Sequence, residues 1–125
     1  MDPLRRPAVG ERASLSRVFG RADVDEYHAL TSAPSRDDGL VPPALIGGLI
    51  SCLLGTRLPG LGTNWLKQRL AFARPVRLGE PLTASVEIIR VRPEKQLIDL
   101  HTWCVDAAGH PICDGAALVL LKETP

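Results

Sequence analysis

The sequence predicts an α+β fold in which an antiparallel sheet of about five strands wraps one long apolar helix. Three observations predict it. The 125-residue chain has the length of one domain. One segment in its first half is uncharged on every side at helical spacing, and its second half consists of strand-length runs separated by short turns. We therefore expect residues 1–125 to form a single domain, with residues 1–10 as a flexible lead.

The bulk composition disfavours several classes of partner. The formal net charge of +1 gives no electrostatic reason to expect nucleic acid or an anionic membrane surface. The three cysteines lack the CxxC spacing of a zinc site and cannot all pair with one another. No apolar run approaches the length of a membrane span. We therefore expect a cytoplasmic protein without a metal, a cofactor or a disulfide framework.

Two short elements and a loop open the chain. Alternation over Ala13–Phe19 predicts a strand. Asp23 stands where an N-cap residue is expected, and apolar residues at helical spacing predict a helix over Val24–Leu30. The Ser-, Pro- and Asp-rich segment Thr31–Leu40 is expected to be an irregular surface loop.

The central helix is predicted over Ala44–Leu58. Pro42 and Pro43 suit its first turn, because the amide that proline lacks would be unpaired there. Large aliphatic residues fill one face and small residues fill the other, namely Ala44, Gly47, Gly48, Ser51, Cys52 and Gly55. A helical glycine costs up to ~1 kcal/mol relative to alanine, so the small face indicates close approach of a sheet, a partner helix or a ligand. Because both faces are uncharged, we expect the helix to be buried all round.

Four further strands are predicted after the central helix. They are Asn64–Phe72, Leu82–Arg92, Gln96–Asp106 and Pro111–Lys122. The segments between them have turn chemistry of hairpin length, which predicts an antiparallel meander. A meander that curls around a single buried helix is the hot-dog arrangement.

Three motifs carry a resemblance to a known family. They are Leu53–Gly60 (LLGTRLPG), Gln68–Val76 (QRLAFARPV) and Gly79–Val86 (GEPLTASV). In this order they resemble the MaoC-like, (R)-specific enoyl-CoA hydratases, and the similarity runs from about Val9 to Leu121. The resemblance implies a hot-dog homodimer that adds water reversibly across the double bond of an acyl thioester, carried by CoA or by a carrier protein.

The chain departs from that family at the catalytic motif. The family has an Asp and a His five positions later, in the pattern D-x-N-P-x-H, and a gapless alignment places Ala33 and Asp38 there. The family's covering segment of about a dozen residues is reduced to residues 39–40. Pro43 replaces the glycine whose amide would polarise the thioester carbonyl, so that donor is lost. Ser51 matches the family's active-site serine.

The catalytic candidates are Asp38, Asp37, His28 and Ser51. An aspartate beside the helix entry acts as a general base if burial or its neighbour raises its pKa. The alternative is a solvated Asp-Asp-Gly turn. His28 supplies the missing imidazole on one interpretation and is an ordinary helix residue on the other.

The substrate-binding candidates are Pro43, Ala44, Gly47, Gly48, Arg69 and Arg74. The start of the helix can face a developing oxyanion, and the two arginines can bind the phosphates of a CoA or phosphopantetheine arm. The alternative for the arginines is the solvated face of a strand. His101 and Asp99 are expected to form a cross-strand polar patch, and Cys52, Cys104 and Cys113 to pack as small core residues.

Three functions stay open at this point. The first is a hydratase or dehydratase with a rebuilt acid–base set. The second is an isomerase, cyclase or thioesterase acting on the same kind of thioester. The third is a catalytically inactive subunit that binds an acyl chain or has a structural role, because fold alone does not decide function.

Overall fold

The computed structural model describes residues 7–31, 38–60 and 63–121, which contain two α-helices and five strands. The helices are α1 (Arg21–Thr31) and α2 (Pro43–Thr56). The strands are β1 (Arg12–Val18), β2 (Thr63–Phe72), β3 (Pro81–Arg92), β4 (Leu97–Asp106) and β5 (Pro111–Leu121). The predicted α+β architecture of one long helix on an antiparallel sheet is confirmed. Neither helix in these ranges is long and apolar enough to cross a membrane.

The sheet has the order β1-β3-β4-β5-β2, and every neighbouring pair is antiparallel. The predicted meander is therefore correct for β3, β4 and β5 but wrong for β2, which pairs with β5. Because β1 and β4 already flank β3, β2 does not pair with the strand that follows it in sequence and lies instead on the outer edge of β5. Gly115 permits the pairing, since a Cβ atom there would lie 1.8 Å from the carbonyl oxygen of Arg69.

Helix α1 begins earlier than the sequence indicated. Asp23 is not the N-cap residue, because the helix already starts at Arg21. Its Oδ2 accepts a hydrogen bond from the N–H of Gly20 at 2.8 Å. Asp23 thus fills the third helical position and satisfies the amide of the residue before the helix, as the acidic member of a capping box does. Val24 is buried, as the helical spacing predicted.

The large aliphatic face of α2 forms the centre of the core. Its buried residues are Ile46, Leu49, Ile50, Leu53 and Leu54. They pack with inward-facing residues of the sheet such as Val86, Leu100 and Val119, all of them inaccessible to solvent. Full burial of one such side chain stabilises the fold by about 1.5–3 kcal/mol, so this face accounts for much of the hydrophobic stabilisation.

The small face of α2 is open in the single chain, and the prediction of burial all round is wrong. Ala44, Gly48 and Cys52 are exposed. A Cβ atom added to Gly48 would meet no heavy atom within 4 Å. The sheet packs only on the aliphatic side of the helix, and the described residues place nothing close over the other side. Cys52 is for the same reason a surface residue and not the core residue that was expected.

Candidate active site

A groove of about 660 Å³ opens at the N-terminal end of α2, and we call it the entry groove. Three separate segments line it. They are Tyr27 and His28 of α1, the residues Asp38 and Leu40–Pro43 with Ile46, and Phe72–Val76 at the end of β2 and just after it. Four predicted site residues therefore meet in one place, namely His28, Asp38, Pro43 and Arg74.

The imidazole of His28 has unsatisfied hydrogen-bonding capacity in this groove. Both ring nitrogens are shielded from solvent, and neither has a hydrogen-bond partner among the described residues. The ring lies beside that of Tyr27, with the centroids 5.5 Å apart. Shielded polar atoms of side chains are usually paired, so an unpaired imidazole at a groove marks a candidate functional group.

Asp38 lies in a turn at the rim of the groove. Its Oδ1 accepts a hydrogen bond from the N–H of Leu40 at 3.0 Å, which is the bond of an Asx turn. The backbone that follows is anchored to the segment after Arg74, because the N–H of Val41 donates to the carbonyl of Val76 at 2.8 Å. Asp38 is therefore fixed beside the start of α2. Its neighbour Asp37 lies outside the described residues and stays a prediction.

The start of α2 contributes backbone amides. Pro43 is its first residue and has no N–H, while the N–H of Leu45 donates to the carbonyl of Pro42 at 3.0 Å. Ala44 thus supplies the first amide of the helix and is exposed. The first amides of a helix lack acceptors within it and lie at the positive end of its dipole, so they favour a negatively charged ligand.

Arg74 provides the positive charge at the groove. Its Nη1 lies 3.0 Å from Oδ2 of Asp106, and its side chain is 42% exposed. Hydrogen bonds from the N–H of His110 and of Ala108, together with the charge of Arg74, hold the pKa of Asp106 below its ordinary value of 3.8. Asp106 is therefore charged at neutral pH and remains paired with Arg74.

A second groove of about 530 Å³, which we call the helix groove, runs along the small face of α2. Its apolar wall includes Leu15, Leu30, Ala44, Leu45, Gly48 and Leu49. Charged residues also border it, and two of them, Arg17 and Asp23, form an ion pair at 2.8 Å. Tyr27 lines both grooves, so the two lie side by side at the start of α2.

Three further candidates line neither groove. Gly47 and Ser51 are half-buried on α2. Arg69 is exposed on β2, whereas its neighbours Gln68 and Leu70 are half-buried, because successive side chains of a strand point to opposite faces. Its strand position thus places Arg69 on the solvated face, the alternative that the sequence left open.

Sequence reasoning missed two residues that the structure places near the site. Tyr27 carried a signal in its helical spacing, but nothing in the sequence indicated that it would separate two grooves. Asp106 ends a strand before a turn, and its contact with Arg74 joins positions 32 residues apart. Such a pair is visible only once β2 and β4 are placed on either side of β5.

The other polar and thiol candidates belong to the sheet. Nε2 of His101 lies 2.8 Å from Oδ2 of Asp114, and its ring stacks on Trp103 with centroids 4.6 Å apart. The predicted cross-strand polar patch is thus confirmed for His101, while Asp99 pairs instead with Arg92. Cys104 and Cys113 are buried in the core, as predicted, and the strand register places them opposite one another.

The thiol of Cys104 is not placed for nucleophilic chemistry. A hydrogen bond with Cys113, and then burial, raise its pKa above the ordinary value. A thiol needs a lowered pKa to react as a thiolate at neutral pH. The same hydrogen bond lowers the pKa of Cys113, but both side chains are buried in the core, so burial gives the pair a packing role.

One long helix packed on a five-stranded antiparallel sheet, with a groove at the start of that helix, defines a protein of the hot-dog class. No family model matches the chain. The chain is 37% identical over 109 residues to an (R)-specific enoyl-CoA hydratase of Rhodospirillum rubrum, and the matched region covers 87% of this chain and 74% of that protein. It is 33% identical to an (R)-specific enoyl-CoA hydratase of Aeromonas caviae over 126 residues, 90% of this chain and 94% of that protein.

The solved structures agree with these sequence relatives. The (R)-hydratase from A. caviae superimposes with a TM-score of 0.88 at 33% identity, over 93% of this chain and 98% of that chain. The chain therefore belongs to the MaoC-like hot-dog family that includes the (R)-specific enoyl-CoA hydratases.

Proposed function

We propose that this chain is a hydro-lyase that hydrates an enoyl thioester or dehydrates a β-hydroxyacyl thioester. The observation that carries the proposal is the entry groove, where the imidazole of His28, which has no hydrogen-bond partner among the described residues, shares one cavity with Asp38 and the start of α2. Water addition needs a group that exchanges protons beside a site that stabilises negative charge on the thioester carbonyl. The names of the two sequence relatives support the same reaction.

In the proposed reaction His28 is the proton-transfer group. It takes a proton from water as the water oxygen bonds to the β-carbon, and the π electrons move toward the thioester carbonyl. The His28 imidazolium then gives that proton to the α-carbon, and the carbonyl re-forms. The N–H of Ala44 stabilises the transient oxyanion, because Ala44 lines the helix groove directly after Pro43 of the entry groove, and Pro43 has no N–H to donate. Asp38 orients the water or shares the proton transfer.

The two grooves divide the substrate between them. We place the thioester in the entry groove and the acyl chain in the helix groove, where Ala44 and Gly48 leave room beside the helix backbone. The phosphate-bearing handle, whether CoA or the arm of a carrier protein, leaves past Arg74 at the rim. A groove of this size and apolar character suits a short or medium acyl chain.

The proposal is tested by hydration of crotonyl-CoA, followed as loss of enoyl absorbance. His28→Gln is expected to lower kcat by roughly 100-fold or more, since positioned acid–base groups contribute about 10²–10⁴-fold. Asp38→Asn is expected to lower kcat while keeping the turn, because the amide oxygen still accepts the N–H of Leu40.

His101→Gln is the matched control, since it removes an imidazole that is paired on the far face of the sheet. It should leave kcat within twofold of the unmodified chain. Full activity of His28→Gln, or no turnover by the unmodified chain, would reject the proposal.

A second function, acyl-thioester binding without chemistry, is favoured by one observation. Oδ1 of Asp38 is already engaged by the Asx turn, which is the ordinary role of an aspartate in a loop. Tight binding of crotonyl-CoA without consumption of the thioester would establish this function, and any hydrated product would remove it.

We further infer that two copies associate through β2, the strand at one edge of the sheet. Leu66 and Phe72 on this strand are 53% and 42% exposed, which is unusual for large apolar side chains on an edge left in water. Pairing of two β2 strands would join the sheets and cover both side chains.

Light scattering should therefore give twice the 13.5 kDa mass of one chain, and Leu66→Lys should shift the measured mass toward that of a monomer. A monomeric mass for the unmodified chain would refute the inference.

A further inference from the structure

The turn between β4 and β5 holds a carboxylate whose oxygens are already engaged. Oδ1 of Asp106 accepts hydrogen bonds from the N–H of Ala108 at 3.0 Å and of His110 at 2.8 Å. Its Oδ2 lies 3.0 Å from Nη1 of Arg74 and 3.5 Å from Nδ1 of His110. The side chain is only 10% exposed. This carboxylate is therefore a fixed point, because moving it would break several interactions at once.

Arg74 is held both by the main chain just before it and by its guanidinium. Just before it, the N–H of Ala73 donates to the carbonyl of Ile112 at 2.8 Å, which ties the main chain to β5. At the far end the guanidinium meets Asp106. A free arginine side chain samples many rotamers, and holding it in one costs side-chain entropy. The turn supplies that ordering before a ligand arrives.

The guanidinium still has capacity for an anion. It carries five N–H donors, and the contact with Asp106 is made through Nη1. Arg74 lines the entry groove, whereas the Asp106 carboxylate is absent from its lining. The positively charged guanidinium of Arg74 therefore lies at the groove, whereas the negatively charged carboxylate of Asp106 lies in the turn outside it.

We propose that Asp106 is a positioning residue that holds the Arg74 guanidinium at the mouth of the entry groove, where it binds the phosphate ester of the pantetheine handle. The inference rests on the proposed function for the identity of the handle. The phosphate ester is common to CoA and to the arm of a carrier protein. Asp106 itself touches no substrate.

The direction in which anion binding changes when Asp106 loses its charge distinguishes positioning of Arg74 from a long-range electrostatic effect. Removing a negative charge near an anion site strengthens anion binding if only long-range charge matters. Removing it weakens binding if the charge keeps the arginine in place. Asp106→Asn is the informative change, because its amide oxygen still accepts both turn hydrogen bonds, while the ion pair with Arg74 and the longer contact with His110 lose the negative charge.

The experiment measures binding to the full chain by titration calorimetry, with CoA, 4′-phosphopantetheine and pantetheine as probes. Asp106→Asn is expected to raise the Kd of CoA and of phosphopantetheine by roughly fivefold, the scale of a charge-assisted contact at a partly exposed site. Pantetheine, which has no phosphate, should bind as before. In turnover, KM for crotonyl-CoA should rise while kcat stays unchanged.

Two controls separate positioning from a general structural role. Asp114→Asn removes an equal charge from β5 on the outer face and should change neither Kd. In an Arg74→Ala background, Asp106→Asn should have no further effect, since the residue acts only through the arginine.

The proposal is overturned if Asp106→Asn binds CoA as tightly as the unmodified chain or more tightly, or if pantetheine is weakened equally. A loss confined to CoA would also overturn it, since the contact would then be to the nucleotide phosphates. So would failure of the unmodified chain to bind either phosphate-bearing handle. Because binding needs no chemistry, absence of hydration with an intact Asp106→Asn effect would count against the proposed reaction alone.

Discussion

The two faces of α2 differ in what they contact, although both are uncharged. On the aliphatic face Ile50 and Leu53 are wholly buried against the sheet. On the small face Gly48 and Cys52 are exposed and border the helix groove. Two glycines in the middle of a helix, Gly47 and Gly48, lower its stability by up to about 1 kcal/mol each relative to alanine. One face of the helix therefore packs against the sheet, while the other borders an open groove, which the proposed function assigns to the acyl chain.

The largest expected effect is a loss of stability caused by a substitution on the aliphatic face. Leu53→Ala removes a fully buried side chain and leaves a cavity, so the free energy of unfolding should fall by about 2–5 kcal/mol. Urea denaturation followed by circular dichroism measures the change. Cys52→Ala, the neighbouring residue on the small face, is the control and should stay within about 0.5 kcal/mol of the unmodified chain. Equal losses for the two variants would mean that the small face is also packed.

A substitution on the small face is expected to change the substrate preference and to leave the stability unchanged. Gly48→Leu places a side chain in the helix groove, where an added Cβ meets no atom within 4 Å. Stability should therefore be kept, while KM for octenoyl-CoA rises roughly tenfold more than KM for crotonyl-CoA, because each buried methylene contributes about 0.8 kcal/mol.

Gly48→Ala is the matched control for that change. It should raise the free energy of unfolding by about 0.5–1 kcal/mol through helix propensity and leave the preference between the two substrates nearly unchanged. If Gly48→Leu alters neither KM, the acyl chain does not run along this face.

The fold was predictable from local patterns to a large degree. The central helix, predicted over Ala44–Leu58, spans Pro43–Thr56, and each predicted strand overlaps an observed one. Hydrophobic period and turn chemistry are local properties, so a single sequence carries them. The place of β2 in the sheet was not predictable in this way, since nothing in its own sequence states that β1 already occupies the edge of β3.

The candidate site was predictable only as a set of separate residues. Residue chemistry identified His28, Asp38 and Arg74, but not that they line one groove, and it did not separate Arg74 from Arg69. The two arginines differ in their position relative to β2 and in the residues that they contact. Arg69 lies on the solvated face of β2, and Arg74 follows the strand and reaches Asp106. Asp106 itself had no local signal beyond that of an ordinary turn.

Local patterns were enough to predict which segments are helix and strand, and that the central helix has one large and one small face, because these properties depend on residues only a few positions apart. The tertiary structure alone decided which face is covered, which edge β2 joins, and which polar groups share a groove. Those outcomes depend on contacts between residues far apart in the chain, such as Arg74 with Asp106, whose energies no local pattern records.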